Sequence, residues 1–169
     1  MSGKAQIELQ QTRPFENEAV EAYINVLRTA DWLLRDTEKL LAGHGLTPPQ
    51  YNVLRILRGA GRGANRAAGA EKGAGLPCRE IGARMITRDP DITRLLDRLE
   101  RRGLLSRARD QQDRRVITVR ISAEGQRILR TLDRPVRELH QRQLRSLGRA
   151  GARRLVTLLE KLREQGAAT

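Results

Sequence analysis

The chain is 169 residues long, carries 33 Lys and Arg against 20 Asp and Glu for a formal charge of +13, and gives only 2% of its positions to aromatics. A length of this order suits one domain, or one domain with helical extensions, and the charge favours a polyanionic partner, chiefly nucleic acid, with a ribosomal or membrane-surface partner as alternatives. A lone Cys78 excludes a disulfide framework and offers no structural zinc site, and the few aromatics (Phe15, Tyr23, Trp32 and Tyr51, all in the first third) argue against a single-strand binder that needs platforms for its bases.

The basic residues are mostly Arg, which suits bidentate contact with phosphate and guanine; GC-rich codon usage would enrich Arg as well. No apolar run approaches the roughly 20 residues of a membrane span, and the first residues lack a signal-peptide core, so the expected location is the cytoplasm.

Along the chain, the first pattern is helical. Between residues 15 and 42, Val20, Tyr23, Ile24, Leu27, Leu34 and Leu41 recur on or near one stripe, and His44 with Gly45 ends it. Thr47-Pro48-Pro49 then opens a second helix, a capping Thr with Pro in the first turn; it carries Tyr51, Val53, Leu54 and Leu57 and is expected to stop at Gly59.

Arg58 to Gly75 holds six glycines, three arginines, one lysine and no aliphatic larger than alanine. Such a segment buries too little to offset its ordering entropy, which predicts a mobile loop; a basic arm that touches phosphates is the functional alternative.

Three patterns meet between Leu76 and Ser122: a short helical segment over Pro77 to Met85, a capped basic helix, and a two-stranded hairpin. The capped helix opens at Asp89-Pro90-Asp91, with Asp89 as the expected cap, and runs to Arg102 and Gly103. At 100° per residue Ile92, Leu95, Leu96 and Leu99 form one stripe, and Asp91, Arg94, Arg98 and Arg101 form the opposite one. A rod anchored on one side and lined with guanidiniums on the other suits the major groove. An ordinary amphipathic surface helix, with ion pairs Asp91–Arg94 and Asp97–Arg101, would give the same pattern.

The hairpin strands are expected over Leu104 to Arg109 and Val116 to Ile121, the second rich in β-branched residues at period two. Its tip, Asp110-Gln111-Gln112-Asp113-Arg114-Arg115, is highly charged. An arginine there can enter a narrow minor groove, with Asp110 or Asp113 bracing it; a solvated turn is the plainer reading.

From Ser122 the helical pattern returns, with Ser122 and Glu124-Gly125-Gln126 near a capping box. Apolar positions from Ile128 to Leu147 run across Pro135, which is expected to kink or divide the helix. A last helix, about Arg149 to Arg163, shows a broad apolar face including Leu155, Val156, Leu158 and Leu162. These helices carry more apolar surface than a small domain needs, which points to a homodimer, or to an intramolecular helical cap.

The segments Leu76-Pro-Cys-Arg-Glu-Ile-Gly-Ala-Arg-Met, Asp91-Ile-Thr-Arg-Leu-Leu-Asp-Arg-Leu-Glu-Arg-Arg-Gly-Leu-Leu and Asp113-Arg-Arg-Val-Ile-Thr-Val-Arg-Ile-Ser together resemble the MarR family of bacterial transcription regulators, over roughly Leu46 to Gly125. The resemblance implies a mainly α fold with a small β-hairpin wing: a winged helix-turn-helix over residues 46–125 and dimerisation helices in 1–45 and 126–169; the glycine-rich stretch at 58–75, expected from its composition to be a mobile loop, is longer than the family pattern. It implies a homodimer on a pseudo-palindromic double-stranded operator, repressing until a small aromatic ligand releases it. It places Pro90, Asp91, Thr93 and Arg94 at the start of the recognition helix, and Asp113 and Arg115 in the wing motif with Arg114 beside them. Arg88 and Arg98 complete the expected DNA-binding set. The family usually has small hydroxylated residues where this chain has Pro90 and Asp91, so the acid here would accept from cytosine N4 or orient Arg88 or Arg94.

A ligand pocket would involve Trp32, His44 and Tyr51, which are otherwise simple core positions. Cys78, near a helix start and beside Arg79, is either a redox-active thiol or an inert one. Catalysis, a cofactor and a metal find no support: His44 and His140 lie far apart, no nucleophile motif is present, and the glycine-rich stretch lacks phosphate-loop spacing. A non-specific architectural or RNA-associated basic protein stays as the rival from another class.

Overall fold

A computed structural model describes residues 4–63, 75–87, 91–109 and 116–166. The chain forms two units, Met1–Leu132 and Asp133–Thr169. In the first, helices α1 (Lys4–Glu8), α2 (Glu18–Ala42), α3 (Pro48–Gly63), α4 (Cys78–Arg84) and α5 (Ile92–Arg101) accompany a sheet of β1 (Leu76–Pro77), β2 (Leu105–Arg109) and β3 (Ile117–Ile121).

Local chemistry explains where α2 and α3 begin. The side chain of Asn17 accepts from the backbone N–H of Val20 at 3.0 Å and starts α2. Ahead of α3, Thr47 and Gln50 cap each other: Thr47 N–H donates to Gln50 Oε1 at 3.1 Å, and Gln50 N–H donates to Thr47 Oγ1 at 3.4 Å. α3 does not stop at Gly59 as expected but continues to Gly63, so the first residues of the predicted 58–75 loop are helical. Glycines cost a helix about 1 kcal/mol each relative to alanine, which weakens it without stopping it, and no proline intervenes before Pro77. Residues 64–74 of that predicted loop lie outside the described residues.

The sheet order is β1-β3-β2, antiparallel throughout, with Arg107 opposite Val119 and Leu76 also opposite Val119 on the other side. β1 takes the first residue of the helical segment expected from Pro77: Leu76 and Pro77 pair with the free side of β3 before α4 starts at Cys78. Leu54, Ile81, Leu96, Leu99, Leu104 and Val119 are fully or almost fully buried, so α3, α4, α5 and the sheet share one core. Fully burying a leucine side chain stabilises by about 1.5–3 kcal/mol, which makes this core the anchor of α5.

α6 (Ala123–Gln143) begins in the first unit and ends in the second. Ser122 Oγ starts it, accepting from Gly125 N–H at 3.0 Å while donating to the Gly103 carbonyl at 2.6 Å. Pro135 does not divide this helix. Its missing N–H removes one rung of the ladder, and the rungs on either side hold. The rest of the second unit is a 3₁₀ turn at Arg145–Leu147 and α7 (Gly148–Gly166), on which Val156, Leu158 and Leu162 are exposed. No described helix is long and apolar enough to cross a membrane.

Candidate nucleic-acid interface

α5 carries an exposed basic row. Its cap is Asp91 rather than Asp89: the Asp91 carboxylate accepts from the backbone N–H of Arg94 at 3.2 Å. The second oxygen of the same carboxylate meets Arg94 Nε at 3.0 Å, leaving the Arg94 side chain 78% exposed. One acid thus fixes the start of the helix and the root of its first outward arginine.

The rest of α5 follows its sequence pattern. Leu95, Leu96 and Leu99 are buried and Ile92 is half-buried, while Thr93, Arg94, Arg98 and Arg101 are exposed. Arg101 Nε donates to the Asp97 carbonyl within the helix at 3.4 Å. The expected Asp97–Arg101 side-chain pair is displaced, because the Asp97 carboxylate is taken by Arg107 of β2 at 2.6 Å.

Arg107 makes four links to α5. Besides Asp97, its Nη2 donates to the Thr93 carbonyl at 3.1 Å, its Nε lies 3.7 Å from Glu100 Oε2, and its backbone N–H donates to Glu100 Oε1 at 3.0 Å. Its Nε is buried and has no hydrogen-bond partner, so the Glu100 charge compensates it electrostatically. Both acids on the flank of α5 are therefore held by the strand beside it, and the outward face presents guanidiniums.

Two further contacts position α5. The Asn52 side chain of α3 accepts from Ile86 N–H at 2.8 Å, fixing the turn after α4. At the other end, the Arg102 guanidinium donates to the carbonyls of Gly45 and His44, in the turn between α2 and α3.

Of the residues singled out from sequence, Asp91, Thr93, Arg94 and Arg98 stand together on the first turns of α5. Arg88, Pro90, Arg114 and Arg115, and with them the hairpin tip 110–115, lie outside the described residues. Trp32 sits on α2 and is 49% exposed; His44 is exposed; Tyr51 is half-buried on α3 with the Arg55 guanidinium 5.9 Å from its ring centroid. Cys78 is half-buried at the start of α4.

Arg107, Arg102 and Asn52 were not singled out. A signal existed for Arg107: at period two it shares a side of β2 with buried Leu105, and a charge on that side must find partners. Nothing local marked Arg102 or Asn52, whose partners lie 57 and 34 positions away.

The fold and the family are shared with known proteins. A family model described as the MarR family matches residues 46–117. A crystal structure of a MarR transcription factor from Planctomyces limnophilus is 35% identical, covers 86% of this chain and 98% of its own, and superposes with a TM-score of 0.62. A mutant MarR from E. coli complexed with operator DNA covers 89% of this chain and 99% of its own at a TM-score of 0.73; at 23% identity that likeness concerns the fold. The HTH-type transcriptional regulator TtmR of Methylorubrum extorquens is 34% identical over 99 residues, a stretch of 59% of this chain but only 44% of that protein.

Proposed function

The chain belongs to the MarR family, and from that premise we propose that it is a transcriptional regulator that binds a pseudo-palindromic operator as a homodimer and represses by occupying it. Members of this family are transcription factors rather than enzymes. The observation that carries the reading is the outer face of α5, where Arg94, Arg98 and Arg101 are exposed while Asp97 and Glu100 are held by Arg107. In this reading Thr93 and Arg94 meet base edges in the major groove, Asp91 keeps Arg94 oriented, and Arg98 supplies phosphate contact further along the rod. Arg88 and Pro90, which precede α5 in the sequence, and Arg114 and Arg115, which fall between β2 and β3, are proposed to contact the same operator, the last two through its minor groove.

A dimer is supported by apolar side chains left in water. Tyr23, Leu27 and Leu34 on α2 are exposed, as are Val156, Leu158 and Leu162 on α7. Leucine and tyrosine faces of this kind are what a second copy would cover. Release by a small aromatic ligand belongs to the same reading, with Trp32, His44 and Tyr51 as the residues proposed to meet it; the link to α5 on which it would act is the bond from Arg102 to the His44 carbonyl.

Selection of bound fragments from the source genome, with sedimentation of the complex, tests the proposal. Recovery of one inverted repeat bound by two chains, about 10³-fold or more tighter than random DNA, is the expected result. A featureless pool would instead establish the non-specific basic protein.

A further inference from the structure

Resting on that DNA-binding reading, we propose that Arg107, which does not stand on the outward face of α5, is the positioning residue that sets the wing relative to the recognition helix, so that both grooves are engaged as one unit. The basis is the number and kind of its contacts. A strand residue whose side chain is only 20% exposed places its two terminal nitrogens on the Asp97 carboxylate and the Thr93 carbonyl, and its Nε and backbone N–H beside Glu100.

These anchor points span the first and last turns of α5, from Thr93 to Glu100, so the strand is held along most of the helix rather than at a point. A planar guanidinium has its donors in a fixed fork, and with Nη1 on Asp97, Nη2 on the Thr93 carbonyl and Nε held electrostatically by Glu100 it cannot slide along the helix without losing charge-assisted bonds. Its backbone is at the same time paired in register with β3, Arg107 facing Val119, so the constraint passes to the second strand of the hairpin. The contact also sets one positive charge against the two carboxylates on the flank of a helix that must approach phosphates, leaving one net negative charge there instead of two.

The test uses Arg107→Gln, Arg107→Lys and Asp97→Asn in the full chain, each first shown to melt cooperatively. Operator and random-DNA affinities are measured, with dimethyl sulfate footprints on the operator. That reagent methylates guanine N7 in the major groove and adenine N3 in the minor groove, so it reports the two elements separately. Arg107→Gln is expected to lower the preference for operator over random DNA about tenfold, the scale of one lost charge-assisted bond. Protection of adenine N3 under the wing is lost while guanine N7 protection under α5 survives. Arg107→Lys restores part of both, since it can pair with Asp97 but cannot span to Thr93. Asp97→Asn acts in the same direction, and the Arg107→Gln/Asp97→Asn double variant is less than additive.

If the two protections fade together in proportion to affinity, Arg107 merely supports the fold and the inference is overturned. Unchanged protections and preference in Arg107→Gln overturn it equally. A wild-type chain with no preferred sequence at all would bring down the underlying DNA-binding reading, and this inference with it.

Discussion

The guanidinium of Arg102, the residue that ends α5, donates to the carbonyl oxygen of Gly45, 57 positions earlier in the turn between α2 and α3. Gly45 has φ +65, and a Cβ added there would lie 3.2 Å from Arg102 Nη2. Left-handed backbone costs an L-residue roughly 1–2 kcal/mol. Gly45→Ala should therefore lower stability by about that amount in urea titrations, and Gly45→Asn by less, since Asn tolerates this conformation.

Gly125 tests a different kind of tightness. A Cβ there would stand 2.3 Å from the Leu104 carbonyl oxygen and 2.9 Å from Ile121 Cγ1, and a backbone oxygen has no rotamer to escape into. Gly125→Ala should cost about 1–3 kcal/mol or more by thermal denaturation. The control is Gly82→Ala in α4, where nothing lies within 4 Å; shortening the list of unfolded conformations there should raise stability by about 0.4–1 kcal/mol.

Leu99 is fully buried beneath the outward arginines. Leu99→Ala should destabilise by about 2–5 kcal/mol, read from chemical denaturation, because the cavity sits where α5 meets its neighbours. Affinity for all DNA should fall with the folded fraction, and sequence preference among folded molecules should not change.

Arg94→Ala should cost about 1–3 kcal/mol at one or two operator positions, measured against a panel of singly substituted operators. Equal losses on every sequence would move Arg94 from base reading to phosphate contact. Asp91→Ala should also lower stability, by about 0.5–2 kcal/mol, through the lost cap.

Two carboxylates on α6, half-buried Glu124 and exposed Glu138, set a small acid dependence. Hydrogen bonding from Arg127 holds Glu124 below its ordinary carboxylate range, and Arg134 does the same for Glu138. A depressed folded-state pKa means stability is present above the unfolded value and lost as pH falls through the folded one. Melting temperature should decline across the carboxylate range, and Glu124→Gln with Glu138→Gln should flatten that slope.

The legible parts of this protein were those with a local cause. Ile92, Leu95, Leu96 and Leu99 announce α5 because burial of one stripe has a 3.6-residue period, and β3 follows from its β-branched run at period two. Which of Asp89 and Asp91 caps α5 was not readable, since both side chains have the right chemistry and the choice turns on which peptide N–H comes within reach. The five-residue α1 and two-residue β1 are too short to show any period, and β1 is a strand only because β3 offers it an open side. Of the site, the outward arginines were visible. Their supports were not, because Arg107 and Arg102 act across chain distances that no sequence window covers.

The sheet has two open sides, and each is closed to further strands by chemistry already present. On one, Pro77 has no N–H to offer. On the other, the N–H of Arg107 is already spent on the Glu100 carboxylate, and Arg109 adds an exposed charge. The ribbon is thereby denied to other ribbons, so concentrated preparations should resist fibril-like stacking even though the strands themselves are short and β-prone.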